Sequence, residues 1–346
     1  VTPLTHENFG NVAFFPGYPL LVRTVQQATG WQTQWCLLAV SQLACWGFWT
    51  YLLLFFERWQ VSHGLTVLGV LAVFTHPAAF YLVAGYSESL FLAALLGYLH
   101  GCDRTDGAFR SWTALQGFVM TATRLVGVPL VVYAVARSWL VVRTENPCGR
   151  RGRWAGSLLL ASVASLGALV FLGYCQWRFG HWDLYMQTER AGWHLRPDYL
   201  AVFSHRIFHV HWPSFREGYV DPEFVSRVSV PVLFLAMAGL SLLEWRNARQ
   251  LADSGWRARA GFYLCAGLMY YVSVCGHSTR GMSSMVRFAL CVHVLLVLAL
   301  VHLLARRGTR TVWSGRRSVV LGLGLLLSFA LELALTYRFT HNRWVA

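Results

Sequence analysis

The chain has 346 residues, 56% of them hydrophobic and 13% charged, with a mean hydropathy of +0.45. These values argue against a soluble globular domain and for a membrane protein. The formal net charge of +14 does not point to nucleic acid, because all 29 basic residues are Arg and none is Lys, a bias that a GC-rich genome explains more simply than phosphate binding.

The first element in chain order is Asn11 to Arg23, NVAFFPGYPLLVR. Pro16 and Pro19 each lack an N–H and bias the preceding residue towards extended backbone, so no regular helix is expected through the aromatic stretch. An apolar, helix-broken segment suits the membrane interface. Phe14, Phe15 and Tyr18 would lie at headgroup depth, with Leu20, Leu21 and Val22 opening a short surface helix. A proline-rich surface turn is the alternative.

Apolar runs long enough to be spans follow near residues 35–56, 65–84, 87–101, 112–140, 155–176, 228–245, 260–276, 285–305 and 318–337. Arginines cluster in three intervening stretches. They are Arg143, Arg150, Arg151 and Arg153; Arg246, Arg249, Arg257 and Arg259; and Arg306, Arg307, Arg310, Arg316 and Arg317. The positive-inside rule makes these loops cytoplasmic. Parity then requires the chain between Asp103 and Arg143 to enter and leave on one side, although it holds a single long apolar run. The break is expected at TRLVGVP, Thr123 to Pro129, where two short helices would meet around Arg124 near the outer side. The N-terminal segment, the Tyr86-Ser87-Glu88 turn, the loop from Trp177 to about Ser226, the His277 to Ser284 loop and the C-terminal tail are then external.

Several residues invite a chemical reading. Glu88 stands at a helix start beside an external turn, where a carboxylate stays accessible to water; a first-turn acid favoured by the helix dipole is the alternative. Arg124, a charge inside an apolar run, marks either a functional site or an internal ion pair with Glu88. Its planar fork matches phosphate oxygens. Arg287 is a similar phosphate candidate, with ordinary snorkelling as its alternative. In the long external loop His205 and His209 are spaced i, i+4, with His211 close by, which can be read as zinc ligation or as His and Trp packing on headgroups beside Trp193, His194 and Trp212. No acid stands at ligand spacing, and the aromatic loop can instead cover a substrate cleft. The eight cysteines are scattered singly, mostly in apolar runs, and read as free thiols, with Cys175 and Cys275 the one conceivable external pair.

Four ordered stretches carry a family resemblance: NVAFFPGYPLLVR (Asn11 to Arg23), PAAFYLVAGYSESLF (Pro77 to Phe91), TATRLVGVPL (Thr121 to Leu130) and SSMVRFAL (Ser283 to Leu290). Together they resemble the PIG-V-like group of polytopic mannosyltransferases, relatives of GPI mannosyltransferase 2 within the GT-C glycosyltransferases. The resemblance covers nearly the whole chain. It implies an all-α, GT-C-like polytopic transmembrane helix bundle with short external re-entrant or interfacial helices, residues 1–346 forming one membrane domain. Family members usually begin with a further span and a WDxxHY-like stretch carrying the acid thought to act as base. Residue 1 is Val, and His6 and Glu7 do not match that motif, so the chain reads as lacking its N-terminal span and part of the first external loop.

The implied activity is an inverting transfer of a sugar, with mannose expected, from a polyprenyl- or dolichyl-phosphate donor to a glycan, lipid or protein acceptor at the external membrane face. Glu88 is the catalytic candidate. Phe15, Pro16, Tyr18, Pro19, Tyr86, Ser87, Arg124 and Arg287 are the substrate-binding candidates. Guanidinium groups suffice for the leaving phosphate, so a divalent metal is compatible with the site but not required, and no metal ligands are assigned. Membrane lipids are the other expected partners, and nucleic acid is not one. The expected location is the bacterial inner membrane with the site facing the periplasm or exterior, or the lumenal face of the endoplasmic reticulum in a eukaryote. A non-catalytic membrane subunit of the same fold and a lipid or solute transporter are the rival readings; a transporter would show inverted repeats with paired broken helices.

Overall fold

The computed structural model describes residues 11–103, 110–142, 147–210, 221–251, 256–307 and 315–341. Every regular element among them is helical. The α-helices are α1 Gly17–Thr29, α2 Thr33–Arg58, α3 His63–Phe74, α4 Glu88–Cys102, α5 Ser111–Thr123, α6 Val132–Val142, α7 Pro147–Phe179, α8 Leu184–Trp193, α9 Pro222–Leu251, α10 Trp256–His277, α11 Met285–Arg307 and α12 Gly315–Thr340. Five of them, α2, α7, α9, α11 and α12, are long and apolar enough to cross a membrane. Shorter apolar helices, α3, α4 and the Leu125–Leu140 stretch, accompany them. The described residues form two compact units, 1–51 with 82–196 and 52–81 with 197–346.

In the first unit α5 and α7 pack most closely. A Cβ built on Gly167 would lie 2.1 Å from the Phe118 carbonyl oxygen, and one on Gly117 would lie 2.5 Å from the Ala164 Cβ. Small residues at facing positions let two backbones approach where lipid gives no hydrophobic drive for helix association. The Thr121 hydroxyl donates to the Ala164 carbonyl at 2.5 Å across the same contact.

The apolar run after α5 does not continue as one span. Pro129 has no N–H to donate and its ring would crowd the carbonyl of Leu125 in a continuing helix. Gly127 takes up the close approach, since a Cβ there would lie 2.8 Å from the Met120 carbonyl oxygen. α5 therefore stops at Thr123, Arg124 is extended (φ −152°, ψ 139°), and a 3₁₀ turn over Leu125–Val131 leads into α6. α4 gauges the path. Arg124 lies at its first residue, Glu88, whereas the Val131 carbonyl accepts from Tyr98 at 2.9 Å, and Tyr133 and Arg137 each donate to Asp103 Oδ1 at 2.7 Å, just past its last turn. A 15-residue helix is about 22 Å long, so the chain climbs along α5 and returns through the 3₁₀ turn to the end from which it started. The break expected from the sequence occurs within this unit, and the chain runs back along α4 after it.

In the second unit α10 packs on α11 and α11 on α9 and α3. α12 is tied to the stretch after α3, with Ser328 donating to the Thr75 carbonyl at 2.7 Å and Phe339 against Phe80 at 5.2 Å between ring centroids. The run expected over 65–84 is interrupted. α3 ends at Phe74, Pro77 follows, and the His76 ring Nδ1 accepts the Ala78 N–H at 3.1 Å, closing a turn before a 3₁₀ segment at Ala79–Leu82.

The arginine clusters are less loop-like than expected. Arg150, Arg151 and Arg153 lie in α7, Arg246 and Arg249 in α9, Arg257 and Arg259 in α10, Arg306 and Arg307 at the end of α11, and Arg316 and Arg317 in α12. Arg143 and Arg310 fall outside the described residues. Arg259 is no solvated loop charge, because it is fully buried and forks both oxygens of Glu244, the Nη2 bond measuring 2.9 Å, while Tyr263 donates to Glu244 at 3.1 Å.

Candidate functional site

α4 begins after Tyr86 and Ser87, with Glu88 as its first residue and first-turn acid. The carboxylate does not face water, as its position had promised; its side chain is 0% exposed. Its Oε1 accepts from Arg124 Nη1 at 2.8 Å, and Arg124 is itself only 11% exposed. The guanidinium carbon also lies 5.8 Å from the centroid of Phe91, one turn into α4. The break between α5 and the 3₁₀ turn is what points this arginine at the helix start, so the internal pair that was one of its two sequence readings is formed.

The Phe14–Pro19 segment closes over the same end. Pro16 caps α1 and accepts the Leu20 N–H at 2.8 Å, and Pro19 falls in the first turn, where a missing N–H costs nothing. The helix thus starts inside the stretch expected to exclude one. Two of its three rings are buried in protein, while Phe14 is exposed. Phe15 is buried against Phe171 and Tyr185, each 5.0 Å away between centroids, with Leu125 and Val128 beside it. Gly17 rides on the end of α5, where a Cβ would sit 2.8 Å from the Ala122 carbonyl oxygen and 3.0 Å from Thr123 Oγ1. Tyr18 is buried too; its hydroxyl donates to the Leu37 carbonyl at 2.9 Å and lies 2.8 Å from Ser41 Oγ, which donates to the Tyr86 carbonyl at 3.1 Å. Burial pushes the Tyr18 phenol above its ordinary range, the Ser41 contact opposes this, and the negative charge of Glu88 adds to it.

Phe15, Pro16, Tyr18, Tyr86, Ser87, Glu88 and Arg124 therefore surround one end of the first unit, while Pro19 is on its exposed side. Arg287 belongs to the second unit. There its guanidinium carbon lies 5.4 Å from the Tyr81 ring centroid, after a turn in which Gly281, Met282 and Ser284 all have positive φ.

Sequence reasoning passed over Tyr185 and Glu189. Both lie on α8, one turn apart, close enough for the carboxylate's charge to act on the phenol. Burial first, then the charge of Glu189, push the Tyr185 phenol far above its ordinary range, and the positive charge of Arg124 pulls the other way, so the arginine's field reaches α8. The available signal was the i, i+4 spacing in LYMQTERAGW.

No group of three His, Cys, Asp or Glu side chains suited to a metal occurs among the described residues. His205 and His209 do not share a helix face: a 3₁₀ turn covers His205–Phe208, His209 lies beyond it, and the two rings meet edge-on at 5.5 Å. His211, Trp212, His6 and Glu7 lie outside the described residues. Seven cysteines, including Cys175 and Cys275, are free thiols.

Long apolar helices and a broken helix whose charge is buried in protein define a helical, membrane-embedded protein. No family model, curated protein or solved structure matches the chain.

Proposed function

We propose that the chain is a GT-C-type glycosyltransferase similar to the PIG-V-like mannosyltransferases, moving a sugar, with mannose expected, from a polyprenyl- or dolichyl-phosphate to an acceptor at the external membrane face. The observation that carries this reading is the meeting of three stretches far apart in sequence, Phe15–Tyr18, Tyr86–Glu88 and Arg124, around one buried charge at a helix break. The donor would enter laterally from the bilayer and present its phosphate to Arg124, with Glu88 holding the fork in plane. The acceptor oxygen forms its bond to the anomeric carbon as the bond from that carbon to the phosphate oxygen breaks. A carboxylate takes the acceptor's proton, and the lipid monophosphate leaves with its charge matched by guanidinium. Arg287 would serve the same donor class.

The buried pair itself favours a second reading, a non-catalytic subunit of the same fold in which Arg124 only neutralises Glu88. Full-length protein in native membranes, supplied with radiolabelled polyprenyl-phosphate mannose, separates the two. Label transfer and release of polyprenyl phosphate, lowered by Arg124→Ala to about a tenth or less, support the transferase. No turnover by a folded full-length protein supports the subunit.

A further inference from the structure

On α8, Tyr185, Glu189 and Trp193 follow one another at i, i+4, so they form a single stripe one residue wide. Each aromatic member of the stripe meets the Phe14-Phe15 turn: Tyr185 meets Phe15 edge-on at 5.0 Å, and Trp193 meets Phe14 edge-on at 5.9 Å. The stripe therefore faces that turn, with the Glu189 carboxylate bracketed between an inner and an outer aromatic pair. The two pairs differ in burial. Phe15 is in the core, whereas the Phe14 ring is 61% exposed and Trp193 and Glu189 are half-buried.

An exposed ring beside a carboxylate is the chemistry that recognises a hexose. The C–H face of the sugar packs on the aromatic surface, and neighbouring hydroxyls donate to the carboxylate oxygens. Tyr185 packs on Phe15 one turn before the carboxylate. A headgroup anchor would not need the carboxylate, which repels anionic lipid.

We propose that Phe14, Glu189 and Trp193 form a hexose-binding subsite on α8. It would take a sugar of the acceptor glycan at the Arg124 end of the first unit. The acceptor class rests on the transferase reading above, but sugar binding can be measured without transfer. The probe is methyl α-D-mannopyranoside, with methyl α-D-glucopyranoside as the comparison, read by saturation-transfer NMR on the full chain in nanodiscs.

Glu189→Gln, Trp193→Ala and Phe14→Ala should each weaken the signal about tenfold, the scale of one charge-assisted hydrogen bond or one buried aromatic contact. Trp193→Phe should keep part of it. Trp177→Ala, removing a ring that is 81% exposed at the end of α7, should leave it unchanged. Arg124→Gln made together with Glu88→Gln, which leaves no buried carboxylate uncompensated, should also leave mannoside binding intact while abolishing transfer, so subsite and transferase fail separately. Equal binding by the parent, Glu189→Gln and Trp193→Ala proteins overturns the subsite. So does a parent that binds neither glycoside.

Discussion

Arg124 reaches Glu88 across 36 positions of sequence, joining the last turn of one helix to the first residue of another. The bond is short, 2.8 Å, and both partners are withdrawn from solvent. Coulomb attraction here has to offset two desolvation penalties, so the pair is better evidence for a specified geometry than for extra stability.

Its two roles come apart in a double substitution. Arg124→Met leaves a buried carboxylate uncompensated and should cost about 3–5 kcal/mol of stability. Adding Glu88→Gln should restore most of that loss, read as the thermal unfolding midpoint in detergent. Transfer activity should stay lost in the double variant, and Arg124→Lys, which keeps the charge without the fork, should retain only part of it. A double variant with full activity would exclude phosphate binding by Arg124.

Gly167 should not tolerate a methyl group. The Cβ of Gly167→Ala would meet a backbone oxygen that cannot rotate away, and overpacking of this kind costs about 1–3 kcal/mol. Gly173 lies two turns further along α7 with nothing within 4 Å of its Cβ position. Gly173→Ala should be neutral or stabilise by about 0.5–1 kcal/mol. Unfolding midpoints of the two variants in one detergent provide the comparison.

Alkaline pH should loosen the first unit through Tyr18. Its folded-state pKa lies above the ordinary value of 10.0, so the folded protein holds this proton more tightly than the unfolded chain. The contribution to stability is fully present below 10.0 and is lost as pH rises through the folded value. Unfolding midpoints should therefore fall more steeply above pH 10.0 in the parent than in Tyr18→Phe, which has no proton to lose. Equal slopes would mean that Tyr18 holds its proton equally tightly folded and unfolded.

The two ends of α7 should label from opposite sides of the membrane. With native thiols replaced, an impermeant maleimide should reach Trp177→Cys in intact cells and Gly152→Cys only after permeabilisation, if the arginine-rich end is cytoplasmic. Both substituted positions are exposed. The opposite pattern would invert the orientation, and labelling of both from outside would remove α7 from the membrane.

What could be read in advance followed from residues with one local behaviour. Pro129 and Gly127 marked the break, and Glu88 after Tyr86-Ser87 marked a helix start. The burial of Phe15 and Tyr18 in protein was not legible, because an aromatic ring looks alike at a headgroup and in a core; Gly17, pressed on Ala122, ties their helix to α5. Arg259 was counted as a loop charge because a local tally cannot see Glu244, 15 positions earlier on another helix. The interruption at His76-Pro77 was hidden by the apolar residues on both sides. Tyr185 and Glu189 were passed over because α8 mixes polar and apolar residues without a clean period. Their pairing with the Phe14-Phe15 turn is a long-range contact that spacing alone does not encode.

The return of the chain between Arg124 and Tyr133 also makes a few residues the arbiters of orientation for all that comes after them. Were residues 111–142 to run as one straight helix, they would be long enough to cross a bilayer, and α7 would begin on the opposite face. Every later segment would be delivered to the wrong compartment. Pro129 and Gly127, silent in any list of chemical groups, are what interrupt that straight path. Replacing both with leucine should split a population of otherwise intact chains into two mirror topologies.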